Sequence, residues 1–297
     1  KLHEIEVYYI IYGFGGKDME YKIVLDSCGE LTPEMKATGI FESVALSMQV
    51  GEETIVDDAG FDQADFLKKV VACSECLKSS CPSPERYMES YSGDAKRVYV
   101  VTLSAELSGS YNSAELGKNL YAEEYGDKDI YIFNSRSASV GETLIALKIR
   151  ECEEAGMSFE KVIETVEEYI ETQNTYFVLE DLDTLRKNGR LTGIKSLVAG
   201  ALNIKPVMGA TPEGTIRQIG QARGMKRALA RMVEQVAADA ENTKTKILAI
   251  AHCNCRERAL DIERQLLAKM EVKSSFIVDT AGISTMYAND GGIIVVI

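Results

Sequence analysis

Four short runs in this chain are apolar on successive residues: Ile23-Val24-Leu25, Val98-Tyr99-Val100-Val101, Ile130-Tyr131-Ile132-Phe133 and Ile247-Leu248-Ala249-Ile250. A strand turns successive side chains to opposite faces, so a run of this kind has to be covered on both sides. Amphipathic stretches with helical spacing lie between the runs. Residues 158–172 set Phe159, Val162, Ile163, Val166 and Ile170 on one side, against Glu160, Lys161, Glu164, Glu167 and Glu168 on the other. The pattern predicts an α/β chain in which helices flank a parallel sheet.

Helix boundaries are well signalled. Thr32-Pro33 and Ser83-Pro84 each place a capping residue before proline at the first helical position. Ser139-x-x-Glu142 reads as a capping box, and Asn188-Gly189 as a helix end. A second unit follows residue 158. It is expected to hold a strand at 177–179, a helix at 182–187, an apolar helix near 196–202 and a strand at 205–208. Glu213-Gly214 then turns between two strands, a helix spans 224–239, and the last strands lie near 275–278 and 292–297. The expected domains are 19–157, parallel-sheet α/β, and 158–297, mixed α/β. Met19-Glu20-Tyr21-Lys22-Ile23-Val24 reads like a natural beginning, so residues 1–18 are expected to be a tag remnant or a mis-called start. Gly13-Phe14-Gly15-Gly16 within them reads as a flexible linker.

Charge narrows the function. Lys plus Arg number 33 and Asp plus Glu 46 among 297 residues, a net charge of −13. That excess argues against nucleic acid and anionic membrane surfaces as partners. An anionic ligand would need local donors rather than the overall field. No stretch reaches the ~18 apolar residues of a membrane span. Seven cysteines in so long a chain fit a reducing cytoplasm better than a disulfide scaffold. Cys73-x-x-Cys76 and His252-Cys253-x-Cys255 have metal or redox spacing. With no second Cys-x-x-Cys, half-buried free thiols are the simpler reading.

Two serine-rich segments stand out: Lys78-Ser79-Ser80-Cys81-Pro82-Ser83-Pro84 and Leu103-Ser104-Ala105-Glu106-Leu107-Ser108-Gly109-Ser110-Tyr111. Each leaves an apolar stretch and enters a helical pattern. Their hydroxyls and free backbone N–H groups suit a small anion such as a carboxylate. On spacing alone, helix capping is the favoured reading of Ser79 and Ser104.

Several blocks, in order, resemble the DegV family of bacterial fatty-acid-binding proteins, which is similar to the binding subunits of bacterial fatty acid kinase. Lys22-Ile23-Val24-Leu25-Asp26-Ser27-Cys28 resembles the family's strand and Asp-Ser start. Ser79-Ser80-Cys81-Pro82 resembles its Thr-Ser-Gln-Pro loop, and Ser104–Ala114 its Ser-Ser-x-Leu-Ser-Gly-Thr-Tyr block. Asn134–Ser139, Leu182–Leu191 and Leu202-Asn203-Ile204-Lys205-Pro206 follow in the family's order. The resemblance implies a two-domain α/β fold with a long-chain fatty acid between the domains. It implies no other cofactor, a carrier rather than an enzyme, and a fatty acid kinase as possible partner. By position, Ser79, Ser104 and Arg223 would hold the carboxylate, with Asp26, Ser27, Ser80, Ser108 and Gly109 in support. Ile194, Leu197, Val198, Ala201, Leu202 and Ile204 would line the tail. Ser79 replaces a Thr and Ala105 a Ser, while Ala288 stands where the family has a His. The lost hydrogen bond would fall to Tyr287 or Asn289.

Two other functions compete. A serine acyl hydrolase or transferase would use Ser104 or Ser108, but only His3 and His252 could serve as base, and no Gly-x-Ser-x-Gly elbow is present. A metal or redox protein would use the cysteines.

Overall fold

Each of the four apolar runs is a strand with covered faces. The computed structural model describes residues 20–191 and 203–297. In chain order the first half comprises β1 (Tyr21–Asp26), α1 (Pro33–Ala37), β2 (Phe41–Val44), β3 (Ser47–Val50), β4 (Glu53–Val56), α2 (Gln63–Ala72), β5 (Lys78–Ser80), α3 (Pro84–Tyr91), β6 (Arg97–Thr102), α4 (Ser110–Tyr125), β7 (Asp129–Asn134), α5 (Val140–Glu154) and α6 (Phe159–Glu171). The second comprises β8 (Thr175–Val178), α7 (Asp183–Lys187), β9 (Ile204–Ala210), β10 (Ile216–Arg223), α8 (Met225–Asp239), β11 (Ile247–His252), α9 (Arg256–Leu267), β12 (Ser274–Asp279), α10 (Gly282–Ala288) and β13 (Ile293–Val296).

The first sheet runs β2-β1-β6-β7, and its strands are all parallel. A mixed sheet runs β10-β9-β8-β13-β11-β12, in which the β11–β12 pair is parallel. A small antiparallel sheet, β4-β3-β5, stands beside the first. Thr32 and Ser83 cap α1 and α3 as expected, each hydroxyl accepting a backbone N–H of the first turn.

Helix α5 joins the layers. Ile145, Ala146 and Ile149 pack with the first sheet, and Val140 and Leu144 pack against Ala249, Ala251 and Val296 of the second. The expected capping box at its start does not form. Ser139 has φ +60 and gives its hydroxyl to Glu30, while Glu142 is fully buried. A helix covered all round has no solvent face from which a glutamate could reach back to its cap. Val162, Val166 and Ile170 of α6 also join the first core. Residues on the far side of the expected 157/158 boundary thus pack with the first core. In the opposite sense, Ile283 and Met286 of α10 pack with Met48, Val50 and Phe66 beside the small sheet. No described helix is long and apolar enough to cross a membrane.

Candidate functional site

A cavity opens between the two layers. On β8 the two-residue alternation sends Thr175, Phe177 and Leu179 toward it, while Tyr176 and Val178 face the core under α8. Ile216 and Ile294 extend that wall from β10 and β13. Leu103 and Leu107, in the loop after β6, and Ile283 of α10 face them, and Leu185 of α7 closes one end. Almost every exposed wall atom is apolar, and the described walls enclose about 110 Å³.

Polar groups gather at the α7 end. Helix α7 stops at Asn188, and Gly189, at φ +77, turns the chain so that Arg190 reaches the cavity. Its Nε donates to the Leu107 carbonyl at 3.1 Å and its Nη1 to the Asn188 carbonyl. Among the described residues no carboxylate lies within ion-pair distance of it. Across the rim, the Tyr287 hydroxyl lies 2.9 Å from Ser79 Oγ. Asp57 anchors the helix that carries Tyr287. Its carboxylate accepts the Gly282 and Ile283 N–H groups at 2.7 and 2.8 Å and the Ser27 hydroxyl at 2.9 Å. Burial pushes the Asp57 carboxyl up to about 6, against those three donors.

The two expected head-group serines flank this cavity, each through one neighbour. Ser79 sits on β5, not at a helix start, and touches Tyr287. Ser104 is fully buried, donates to the Gly214 carbonyl at 2.8 Å and accepts Glu106 N–H at 3.3 Å. Gly214 has φ +94, and a Cβ there would lie 2.3 Å from Ser104 Oγ. The serine therefore pins the β9–β10 turn over the cavity.

The supporting residues build loops. Asp26 accepts Leu103 N–H at 2.9 Å and the Ser110 hydroxyl at 2.7 Å. Ser27 bonds Asp57. Ser108 accepts Ser110 N–H at 3.2 Å, Ser80 pairs with Ser47 on the small sheet, and a Cβ on Gly109 would meet Cys81 Sγ at 3.3 Å. Arg223 stands away from the described walls of the cavity. It is exposed at the end of β10, paired with Ile204, and neither residue lines the cavity. The hairpin meets the cavity at Ala210 and Ile216, so seven residues of extended chain, about 23 Å, separate Arg223 from it. Arg190 and Arg136 are the guanidinium groups that line the cavity among the described residues. The sequence signal for Arg190 was present in the Leu182–Leu191 block, just after the Asn-Gly helix end. Ile194, Leu197, Val198, Ala201 and Leu202 lie outside the described residues.

Ala288 is buried against Gly292. Both Ala288 and Tyr287 line the cavity, and of the two only Tyr287 carries a polar group.

Behind the cavity wall, Asp26, Cys28 and Glu142 place ligand-type atoms within 4.8 Å of one another. Asp26 is already taken up by N–H and O–H donors. Burial and the neighbouring acids push the Cys28 thiol and the Glu142 carboxyl well up. Glu30 beside it is pushed up to about 7 by burial. Cys73 and Cys76 are half-buried and exposed free thiols. His252 is buried on β11 with Nδ1 3.3 Å from Asp279, and burial lowers its pKa.

A family model described as "Uncharacterised protein, DegV family COG1307" matches residues 20–297. A DegV domain-containing protein of Streptococcus pneumoniae is 34% identical over 281 residues, covering 93% of this chain and 98% of its own length. A DegV family structure from Ruminococcus gnavus, refined with vaccenic acid, is 68% identical with TM-score 0.92. That match covers 94% of this chain and 100% of the other. The fatty acid kinase B3 protein of Streptococcus pneumoniae, loaded with linoleic acid, is 33% identical with TM-score 0.83, covering 94% and 99% of the two chains.

Proposed function

This chain belongs to the DegV family, and we propose that it binds one long-chain fatty acid with the tail in the apolar cavity and the carboxylate at Arg190. The observation that carries this reading is a half-buried guanidinium, Arg190, without an anionic partner among the described residues at the edge of a largely apolar cavity. A carboxylate placed there would gain a charge-assisted partner. Each methylene buried contributes about 0.8 kcal/mol. The tail thus supplies affinity and the head supplies orientation. Arg190 stays charged at any physiological pH, and its fork suits a carboxylate. The Tyr287–Ser79 pair sits across the rim and takes the role that the family gives to His and Thr. Ser104 acts through the Gly214 turn, closing the cavity.

The family and the two acid-loaded relatives support a carrier role over catalysis. Ser104 Oγ is engaged on both sides by backbone groups, and Ser108 Oγ accepts a backbone N–H. Among the described residues, neither is hydrogen-bonded to a histidine that would make it a nucleophile. The likeness to the fatty acid kinase B3 protein supports one further step, in which the bound acid is offered to a kinase that phosphorylates its carboxylate.

Displacement of a fluorescent fatty-acid probe by palmitate tests the binding. One-to-one competition is expected, and octylamine, which has a cationic head and a short tail, should not compete. Equal displacement by the amine would remove the carboxylate from the account.

A further inference from the structure

Helix α10 sends Ile283, Ser284, Tyr287 and Ala288 to the acyl cavity. It has seven residues and no cap of its own, because Ala281 at the N-cap position has no side-chain acceptor for the first turn. So short a helix keeps its place through tertiary contacts. Those contacts come from the small sheet and α2. Gln63, at the start of α2, donates its amide N–H to the Thr280 carbonyl at 2.9 Å and to the Thr280 and Thr285 hydroxyls at 3.1 and 3.3 Å. Ser79 of β5 meets Tyr287 towards the other end of the helix.

Asp57, just after β4, is the contact that carries a charge. Its oxygens take the Gly282 and Ile283 N–H groups where a cap would, and the Ser27 hydroxyl ties it to the end of β1. A Cβ on Gly282 would lie 2.6 Å from Asp57 Oδ1, so glycine admits the carboxylate to the helix start. Asp57 is buried and is not itself among the residues lining the cavity.

We propose that Asp57 is a positioning residue of the acyl site: its charge fixes α10, and with it the wall against which the acid lies, while Asp57 touches no ligand. This role presupposes that a fatty acid occupies the cavity. Hydrogen bonds to an ionised carboxylate are roughly twice as strong as those to a neutral one, so protonation of Asp57 loosens the helix start. Binding is therefore tighter with Asp57 ionised. Burial, opposed by the three donors and helped by the charge of Asp26 at the end of β1, places its titration at about 6. Helix α2 reaches this end of α10 through the neutral Gln63. Glu30, pushed up to about 7 by burial, faces α10 at Ser284. Affinity for the acid thus rises with pH through the Asp57 titration. The contribution of Asp57 to folding stability has the opposite trend, since the fold buries the charge, and this separates positioning from stability.

Probe displacement by palmitate from pH 5 to 8, in the parent protein and in Asp57→Asn, tests the role. The readout is the ratio of the two affinities, in which titration of the ligand's own carboxyl cancels. The parent is expected to bind about fivefold more tightly than the variant at pH 7.5 and within about twofold of it at pH 5. Ser27→Ala keeps the carboxyl but removes one donor, and should move the midpoint of the parent's pH profile to higher pH. A ratio constant across the range, or an unmoved midpoint in Ser27→Ala, would overturn the role of Asp57 and leave fatty-acid binding standing. Failure of both proteins to bind palmitate at any pH would overturn the two together.

Discussion

Arg190 is a half-buried guanidinium at the edge of a largely apolar cavity, with no anionic partner among the described residues. Its two carbonyl contacts orient the fork and leave its charge unbalanced. A hydrogen bond to a charged group contributes about 1.5–3 kcal/mol. Arg190→Gln should therefore weaken fatty-acid binding by about tenfold to a hundredfold in probe displacement, while Arg223→Gln, at the far end of β10, should leave it within about twofold. Equal losses in the two variants would return the head-group role to Arg223. Tyr287→Phe removes one neutral hydrogen bond, worth about 1 kcal/mol, and should weaken binding about fivefold with little change in melting temperature. Arg190 and Arg223 look alike in the sequence, since each stands next to a glycine in a family block. What separates them is the length of a hairpin, a distance no local motif encodes.

At the scale of elements, the strands were legible because burial on two faces leaves an unmistakable run of apolar residues. The short helices α1 and α3 were legible because proline and a capping hydroxyl fix their first turns. Helix α5 misled for a physical reason. It is sandwiched between two sheets, so Glu142 sits where a capping glutamate would, yet is buried in a cluster with Asp26 and Cys28. Helix α10 was missed for a similar reason. It is short and nearly all buried, and Asp57, more than two hundred residues away, holds its first turn. The β9–β10 turn was read correctly at Glu213-Gly214, but its contact with Ser104 was not. That contact makes Gly214→Ala costly twice over, through positive φ and through overlap with Ser104 Oγ. A loss of at least about 1 kcal/mol in chemical denaturation is expected. A neutral substitution would show that the turn is free to move away from Ser104.

At the scale of the whole molecule, buried acids tie the layers together and set a pH dependence. Glu30 receives the Ser139 hydroxyl, and burial raises its carboxyl to about 7, while Asp57 is raised to about 6. Both groups bind a proton more tightly folded than unfolded. Their contribution to stability is complete below about pH 4, where the unfolded chain is also protonated, and is lost as pH rises through 6 and 7. Buried His252 has the opposite sign, since its lowered pKa costs stability as pH falls below its ordinary value near 6.5. The window that isolates the acids is therefore pH 6.5 to 8. There the melting temperature should fall as pH rises, and Glu30→Gln should flatten the slope. An unchanged slope in that variant would show that Glu30 ionises in the folded chain as it does in water.

The central claim is that one acid occupies the cavity with its carboxylate on Arg190. Native mass spectrometry of the purified protein beside its Arg190→Gln variant, with the released ligand identified after denaturing extraction, tests it most directly. The account predicts a single added mass equal to one long-chain fatty acid on the parent protein and a largely empty variant. A parent protein that carries no acid and takes up none from added palmitate, or a variant as fully loaded as the parent, would contradict it.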